Sequence, residues 1–408
     1  MKRTPRGGGT ARPRAAPLAA APLRQLGSLP VDAFVARYWQ QRALCIRQAL
    51  GQFASPISIA ALLALAADPA VESRLVASRA GRWQLRHGPF AAGDLPPRTR
   101  RAWSLLVQGV DLHDAAVAAL AERFRFLPAA RFDDVMISFA TDGGGVGPHV
   151  DQYDVFLLQA VGRRRWRIAR DFDPALVEGL PLRVLARFRH EHEWILEPGD
   201  ALYLPPGVAH EGVALGECVT ISIGFRLPAW REIVDAWHDR QSRLLSLARD
   251  GDARMPDRTR AATRVPARVP PDMVAAAARE LARNAPTPRE AARTLLEHLT
   301  EPKDIVVFDA PRAPLGPARF GQSARRHGVH LDLRTRMLFS GGDVAINGEL
   351  IAAARSLGPA LRRLANDRGL AAAAFSATAG AGPRQRAVAL LALLHGWYRC
   401  GWLHLAAL

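Results

Sequence analysis

The chain has 408 residues, 49% of them apolar and 23% charged, enough for two or three domains and at least one sizeable core. No apolar run approaches the roughly 18 residues of a membrane-spanning helix, so no membrane partner is expected. Its 55 basic residues exceed the 38 acidic ones by 17, and lysine stands only at Lys2 and Lys303. Such an excess of arginine favours phosphate-bearing partners, ribosomes and RNA among them, although a genome-wide bias toward arginine explains it about as well.

Residues 1–26 contain no acid, and prolines interrupt their alanine-rich stretch near Ala16–Ala21. They read as a disordered basic tail rather than a targeting peptide. Cys45, Cys218 and Cys400 are odd in number and far apart, and no Cys-x-x-Cys occurs. That usage predicts a reducing, cytoplasmic setting and argues against a thiolate zinc site.

From 27 to 125 the spacing of apolar residues predicts a mostly helical region, over Pro30–Gln48, Pro56–Ala67 and Ser104–Leu120. The texture changes near Arg131. DDVMISFA, YDVFLLQAV, RRRWRIA, EWILEPGDALYLP and CVTISIGF are short, β-rich runs separated by Gly and Pro. They predict antiparallel strands in a sandwich or jelly roll, with Gly162 turning one strand into the next. Helices are expected again at Trp230–Ala248, Pro271–Asn284 and Pro288–Leu299, with a Pro- and Arg-rich linker across 250–270. GVHLDLRTRMLF and DVAINGELI read as a hairpin around Gly341–Gly342. Helices near Ala353–Ala365 and Pro383–Leu394 then complete a small winged-helix-like module.

Two stretches carry chemistry. In GPHVDQYD, His149 and Asp151 are two apart, so on a strand they share one face and can hold one metal. In EPGDALYLPPGVAHEG, Gly199, Pro205, Gly207 and His210 follow the order G-x5-P-x-G-x2-H, which turns the chain tightly and delivers a histidine at the mouth of a strand. Gly143-x5-His149 has a matching approach. The two halves resemble the paired motifs of the cupin superfamily, with His-x-Asp where many cupins carry His-x-His. Two imidazoles and one carboxylate form a facial triad suited to non-haem Fe(II), with nickel and manganese as alternatives. His190 and His192 lie among charges and read as solvated. The remaining histidines read as structural, and the spacing of His327 and His330 as chance.

Period two in GRRRWRI places Arg164, Trp166 and Ile168 on one face. Trp and Ile belong inside, so Arg164 should point inward with them. An inward cation needs an anion, either an internal Asp or Glu or one carboxylate of a dicarboxylate co-substrate. Ser138, Thr220 and Ser222 are small hydroxyls that alternate with apolar neighbours and could line the same pocket.

DDVMISF, GGGVGPHVDQYDVFLLQ, GRRRWRI, LEPGDALYLPPGVAHEG and SIGFRLP, with DPAVESRLV, WQLRHGPF and WSLLVQGV upstream, resemble the bacterial ribosomal oxygenases of the Jumonji C class. These are 2-oxoglutarate- and Fe(II)-dependent protein hydroxylases. The resemblance is strongest to those acting on an arginine of large-subunit ribosomal protein sixteen. It implies iron ligands at His149, Asp151 and His210, and Arg164 for the distal carboxylate of 2-oxoglutarate. Ser138, Thr220 and Ser222 would stand near the co-substrate. The resemblance also implies an α+β architecture: a catalytic double-stranded β-helix over 27–230, a helical dimerisation segment over 231–300 and a winged-helix-like domain over 301–408. A homodimer and an arginine β-carbon as target follow from it. An arginine substrate wants an acid near the mouth, for which Asp142, Tyr153 and Asp154 are the candidates by position. The Arg-rich connector PLRVLARFRHEH and the basic tail depart from the family's pattern. A histidine or lysine target, or a non-catalytic ribosome- or RNA-binding cupin, are the competing readings.

Overall fold

The computed structural model describes residues 20–79, 82–247, 270–352, 354–375 and 381–406. Most of the expected tail and nearly all of the 250–270 linker lie outside them. Order begins before residue 27, because β1 (Gln25–Leu26) pairs with β2 (Leu29–Pro30) and Leu26 is fully buried. The chain forms two compact groups. The first contains the described residues of 1–227, 303–335 and 366–408, and the second those of 228–302 and 336–365.

In the first group, α1 (Val31–Arg37), β3 (Leu44–Ile46) and α2 (Ile59–Ala66) precede three strands, β4 (Ser73–Arg79), β5 (Arg82–His87) and β6 (Trp103–Val107). The region is therefore not mostly helical. Trp103–Val107 is buried at every position, so it carries no alternation, and an apolar run of that length does not distinguish helix from strand. After α3 (Ala115–Glu122) come β7 (Phe132–Ala140), β8 (His149–Val150), β9 (Asp154–Ala169), β10 (His192–Leu196), β11 (Ala201–Leu204) and β12 (Ala209–Phe225). The sheet order is β3-β11-β9-β12-β7-β6-β4-β5, with β10 on β9 and β8 on β12, and all pairs are antiparallel.

Gly162 does not reverse the chain. It sits within β9 at φ +65°, and a Cβ there would lie 2.1 Å from the carbonyl oxygen of Glu217, so only glycine fits. The bulge exchanges the faces of the strand. Before it, Val155 and Leu157 face inward; after it, Trp166 and Ile168 join them. Phe156 and Leu158 face the other way, into the core under α1 and α3 with Phe34, Phe124 and Tyr203. Burial on both faces is why VFLL reads as a continuous apolar run.

The remaining elements are α4 (Trp230–Leu247), α5 (Pro271–Arg283), α6 (Pro288–Thr300), α7 (Pro317–His327), β13 (Val329–Leu331), β14 (Met337–Ser340), β15 (Asp343–Ile346), β16 (Glu349–Leu350), α8 (Ala354–Asp367), β17 (Gly369–Leu370), α9 (Ala381–Arg399) and β18 (Leu403–Leu405). In the second group, Thr287 caps α6 with Pro288 at the first position and Glu290 returning to the Thr287 amide. The Gly341–Gly342 turn joins β14 to β15 as expected. However, Val329–Leu331 is not part of that hairpin. It pairs with β17 and β18 in a separate three-stranded sheet of the first group. No helix among the described residues is long and apolar enough to cross a membrane.

Candidate metal centre

β8 pairs with the start of β12, setting His149 directly opposite His210. Asp151 follows as the strand ends, and its carbonyl accepts from the Gly207 amide at 2.8 Å, tying the His-x-Asp turn to the Pro-Pro-Gly turn. The Asp151 carboxylate lies 3.6 Å from His210 Nε2 and 3.9 Å from His149 Nε2. One ligand atom from each residue can be chosen so that all three lie within 4.8 Å of one another.

Both rings are oriented by backbone. His149 Nδ1 donates to the Gly147 carbonyl at 2.9 Å, and His210 Nδ1 to the Val208 carbonyl at 3.0 Å. A carbonyl only accepts, so each Nδ1 carries the proton and each Nε2 presents a lone pair inward. Burial, and then the neighbouring His149, push the His210 pKa down to about 4, which keeps that ring neutral. The donor set is nitrogen, nitrogen and carboxylate oxygen, with no thiolate, which fits Fe(II).

Arg164 lies beyond the triad on the inner face of β9. It is 4% exposed, and its Nη1 donates to Ser138 Oγ at 3.1 Å and Thr220 Oγ1 at 3.2 Å. Nη2 donates to the Gly212 carbonyl at 3.3 Å, while Nε has no partner. Among the described residues no carboxylate pairs with it, so the internal Asp or Glu considered from sequence is absent. Burial accordingly pushes its pKa down. Trp166 spans the gap between the two features, its ring 5.1 Å from the Arg164 guanidinium and 6.0 Å from the His210 ring. Gly212 is the direct cross-strand partner of Trp166 on β12. A Cβ there would come within 2.8 Å of both Trp166 and Arg164 Nε.

Ser222 is buried on the same face of β12 as Thr220, two residues along. Gln159, not singled out from sequence, accepts from Thr220 Oγ1 at 3.1 Å and leaves that hydroxyl's lone pairs for Arg164. Only the parity change at Gly162 reveals that Gln159 faces inward.

The three candidates for the substrate edge separate. Asp154 is fully buried on the outer face of β9, where it accepts from Tyr203, Arg131 and Gln40. It is a core residue and does not reach the centre. Asp142 is partly exposed and pairs with Arg101 and the Gly216 amide. Tyr153 stands beside Asp151, and burial together with that carboxylate pushes its pKa up. A further acidic pair escaped the sequence reading. Asp133 and Asp134 lie close enough to Tyr153 to act on its phenol, and Lys303 bridges both at 2.9 Å. The Arg-rich connector folds back over the His-x-Asp turn, where the Leu185 amide donates to the Pro148 carbonyl at 2.8 Å and Val184 packs beside Gly147.

Two family models match the chain, a JmjC domain over residues 119–233 and a ROXA-like winged helix over 279–404. The chain is 36% identical to the ribosomal protein uL16 3-hydroxylase of Escherichia coli (strain K12) over 351 residues, spanning 84% of this chain and 90% of that protein. It is 34% identical to a probable ribosomal oxygenase of Haemophilus influenzae over 209 residues, about half of each. Among solved structures it is similar to E. coli YcfD, with a TM-score of 0.82 and 34% identity over 94% of this chain and all of that one. It is also similar to YcfD, a ribosomal oxygenase, in complex with cobalt and 2-oxoglutarate, with a TM-score of 0.79 and 34% identity over 93% and 99% of the two chains.

Proposed function

The chain belongs to the JmjC ribosomal oxygenases, and on that premise we propose that it is a 2-oxoglutarate- and Fe(II)-dependent hydroxylase of a large-subunit ribosomal protein, acting on an arginine β-carbon. The observation that carries this reading is Arg164, a buried guanidinium with no carboxylate partner among the described residues, one tryptophan away from a His-Asp-His cluster. The relative's name specifies position three, which in an amino acid is the β-carbon.

In this reading His149, Asp151 and His210 hold the iron. When bound, the metal supplies activation of O2 coupled to decarboxylation of 2-oxoglutarate to succinate and carbon dioxide. The protein's own part is placement. The Nδ1 bonds of both histidines fix the metal-binding nitrogens before any ligand arrives. Arg164 presents its guanidinium to the co-substrate's distal carboxylate, steadied by Ser138 and Thr220, with Ser222 beside them. Gly212 leaves the room that the Trp166 ring and the Arg164 side chain occupy. Tyr153 stands beside the Asp151 carboxylate, and the Asp133–Asp134 pair near it is already bridged by Lys303.

The division into a catalytic domain over 27–230, a helical segment over 231–300 and a winged-helix-like domain over 301–408 belongs to the same reading. α4 and α5 support a homodimer, because Trp230 is 83% exposed and Leu281 76% exposed. Free cysteines at 45, 218 and 400 fit a cytoplasmic setting. The test is succinate release by the purified chain with Fe(II) and 2-oxoglutarate, with and without the ribosomal protein. Release that rises with that protein supports the assignment, and release indifferent to it removes the substrate.

A further inference from the structure

Two segments of the chain contain no acidic residue, namely residues 310–331 and everything from Arg368 to Leu408. They supply α7 and α9. The helices pack through Phe320, whose ring lies 5.4 Å from that of His395 and 5.1 Å from that of Tyr398, with Gly321 beside Leu391. The contacts climb α7 as they descend α9, which directs the end bearing Arg325 and Arg326 toward the half of α9 bearing Arg384 and Arg386. With Arg319 and Arg399 the pair exposes six arginines, and none has an acidic partner among the described residues. The carboxylates bordering the first segment are engaged elsewhere. Arg334 takes both oxygens of Asp332, at 2.7 and 2.9 Å, and Asp309 at 2.9 Å, while Asp332 also binds His404.

Helix stability does not explain all of these charges. Arg325, Arg326 and His327 lie in the last turn of α7, where cations complement the helix dipole. Arg384 and Arg386 lie near the start of α9, where a cation is unfavourable, and no acid in the first turn offsets them. Neither is the surface built for an apolar partner, since Val388 is the one large apolar side chain it strongly exposes among the described residues.

We propose that the α7–α9 pair is a docking surface for the phosphate backbone of RNA. At 1.5 Å per residue the helices are roughly 16 and 28 Å long, so the arginines spread over several phosphates of one strand. Guanidinium forks suit phosphate oxygens in two-point contact, whereas an acidic protein would need carboxylates at matching positions on a fixed surface. The surface is separate from the triad, so the inference does not depend on the hydroxylase reading.

The test is fluorescence anisotropy of a fluorescein-labelled single-stranded RNA of about 20 nucleotides with the full chain, without metal or 2-oxoglutarate, across a salt series. The wild type is expected to bind. Joint substitution Arg325→Ala, Arg326→Ala, Arg384→Ala and Arg386→Ala is expected to weaken binding roughly tenfold or more at low salt. At about 0.7 per phosphate, it should also flatten the log–log salt slope by roughly 2–3. The matching four Arg→Lys substitutions are expected to keep most of the binding, and circular dichroism to show both variants folded. No binding by the wild type, an unchanged curve in the alanine variant, equal loss in the lysine variant, or tighter binding of poly-glutamate than of RNA each overturns the proposal.

Discussion

The Arg164 guanidinium lies over the Trp166 ring at 5.1 Å, in a setting where the described residues offer it hydroxyls and a carbonyl but no carboxylate. Its burial is a standing cost in the ligand-free protein and an affinity source once an anion arrives. Arg164→Met is therefore expected to raise the 2-oxoglutarate KM by roughly 10- to 150-fold, the equivalent of losing about 1.5–3 kcal/mol from a hydrogen-bonded charge. The Tm is expected to hold or rise. Steady-state kinetics with thermal scanning checks both, and an unchanged KM removes Arg164 from the site.

Asp151 supplies the only carboxylate of the triad and is about a quarter exposed, so removing it leaves no buried charge behind. Asp151→Ala is expected to weaken Fe(II) or Co(II) binding by more than the roughly 100-fold typical of losing an outer supporting partner, with the fold intact. Titration calorimetry with the metal alone reads this directly. Wild-type affinity in the variant would rule out the assigned ligand set.

Asp332 gives a pH signature. Burial alone would raise its pKa, but the Arg334 fork and His404 outweigh burial and hold the carboxylate well below the usual range. A folded pKa depressed below the unfolded value, about 3.9, contributes stability that is full above that value and lost as pH falls through the folded pKa. Asp332→Asn is expected to lower the Tm at pH 7, with the gap from wild type narrowing below about pH 4. A gap independent of pH would show that shape, and not charge, is what the variant lost.

Trp230 and Leu281 are the most exposed large apolar side chains among the described residues of α4 and α5. Joint Trp230→Glu and Leu281→Glu substitution is expected to convert a dimer to a monomer in light-scattering chromatography while 2-oxoglutarate binding persists. A monomeric wild type, or a dimer that survives the substitutions, would contradict self-association through this face.

The clustering of His149, Asp151 and His210 was legible because Gly and Pro fixed its two turns and period two fixed the faces of its strands. Arg164 was legible for the same reason, since parity within GRRRWRI needs no information from outside the run. Parity failed across Gly162, where the bulge exchanges faces. Asp154 therefore lies in the core with Tyr203, and Gln159 lies behind Thr220. β6 reads as helix in the sequence because it is buried on both sides and has no polar beat. Lys303 meets Asp133 and Asp134 from about 170 positions away, a pairing no local pattern encodes.

Hydroxylation of one arginine on one ribosomal protein would leave a mass signature in the cell. Intact-mass and tandem mass spectrometry of large-subunit proteins, from cells with and without this gene, tests it most directly. One protein is expected to lack a single oxygen when the gene is absent, and that oxygen to map to an arginine β-carbon. Identical masses in the two strains, or an oxygen on histidine or lysine instead, would contradict it.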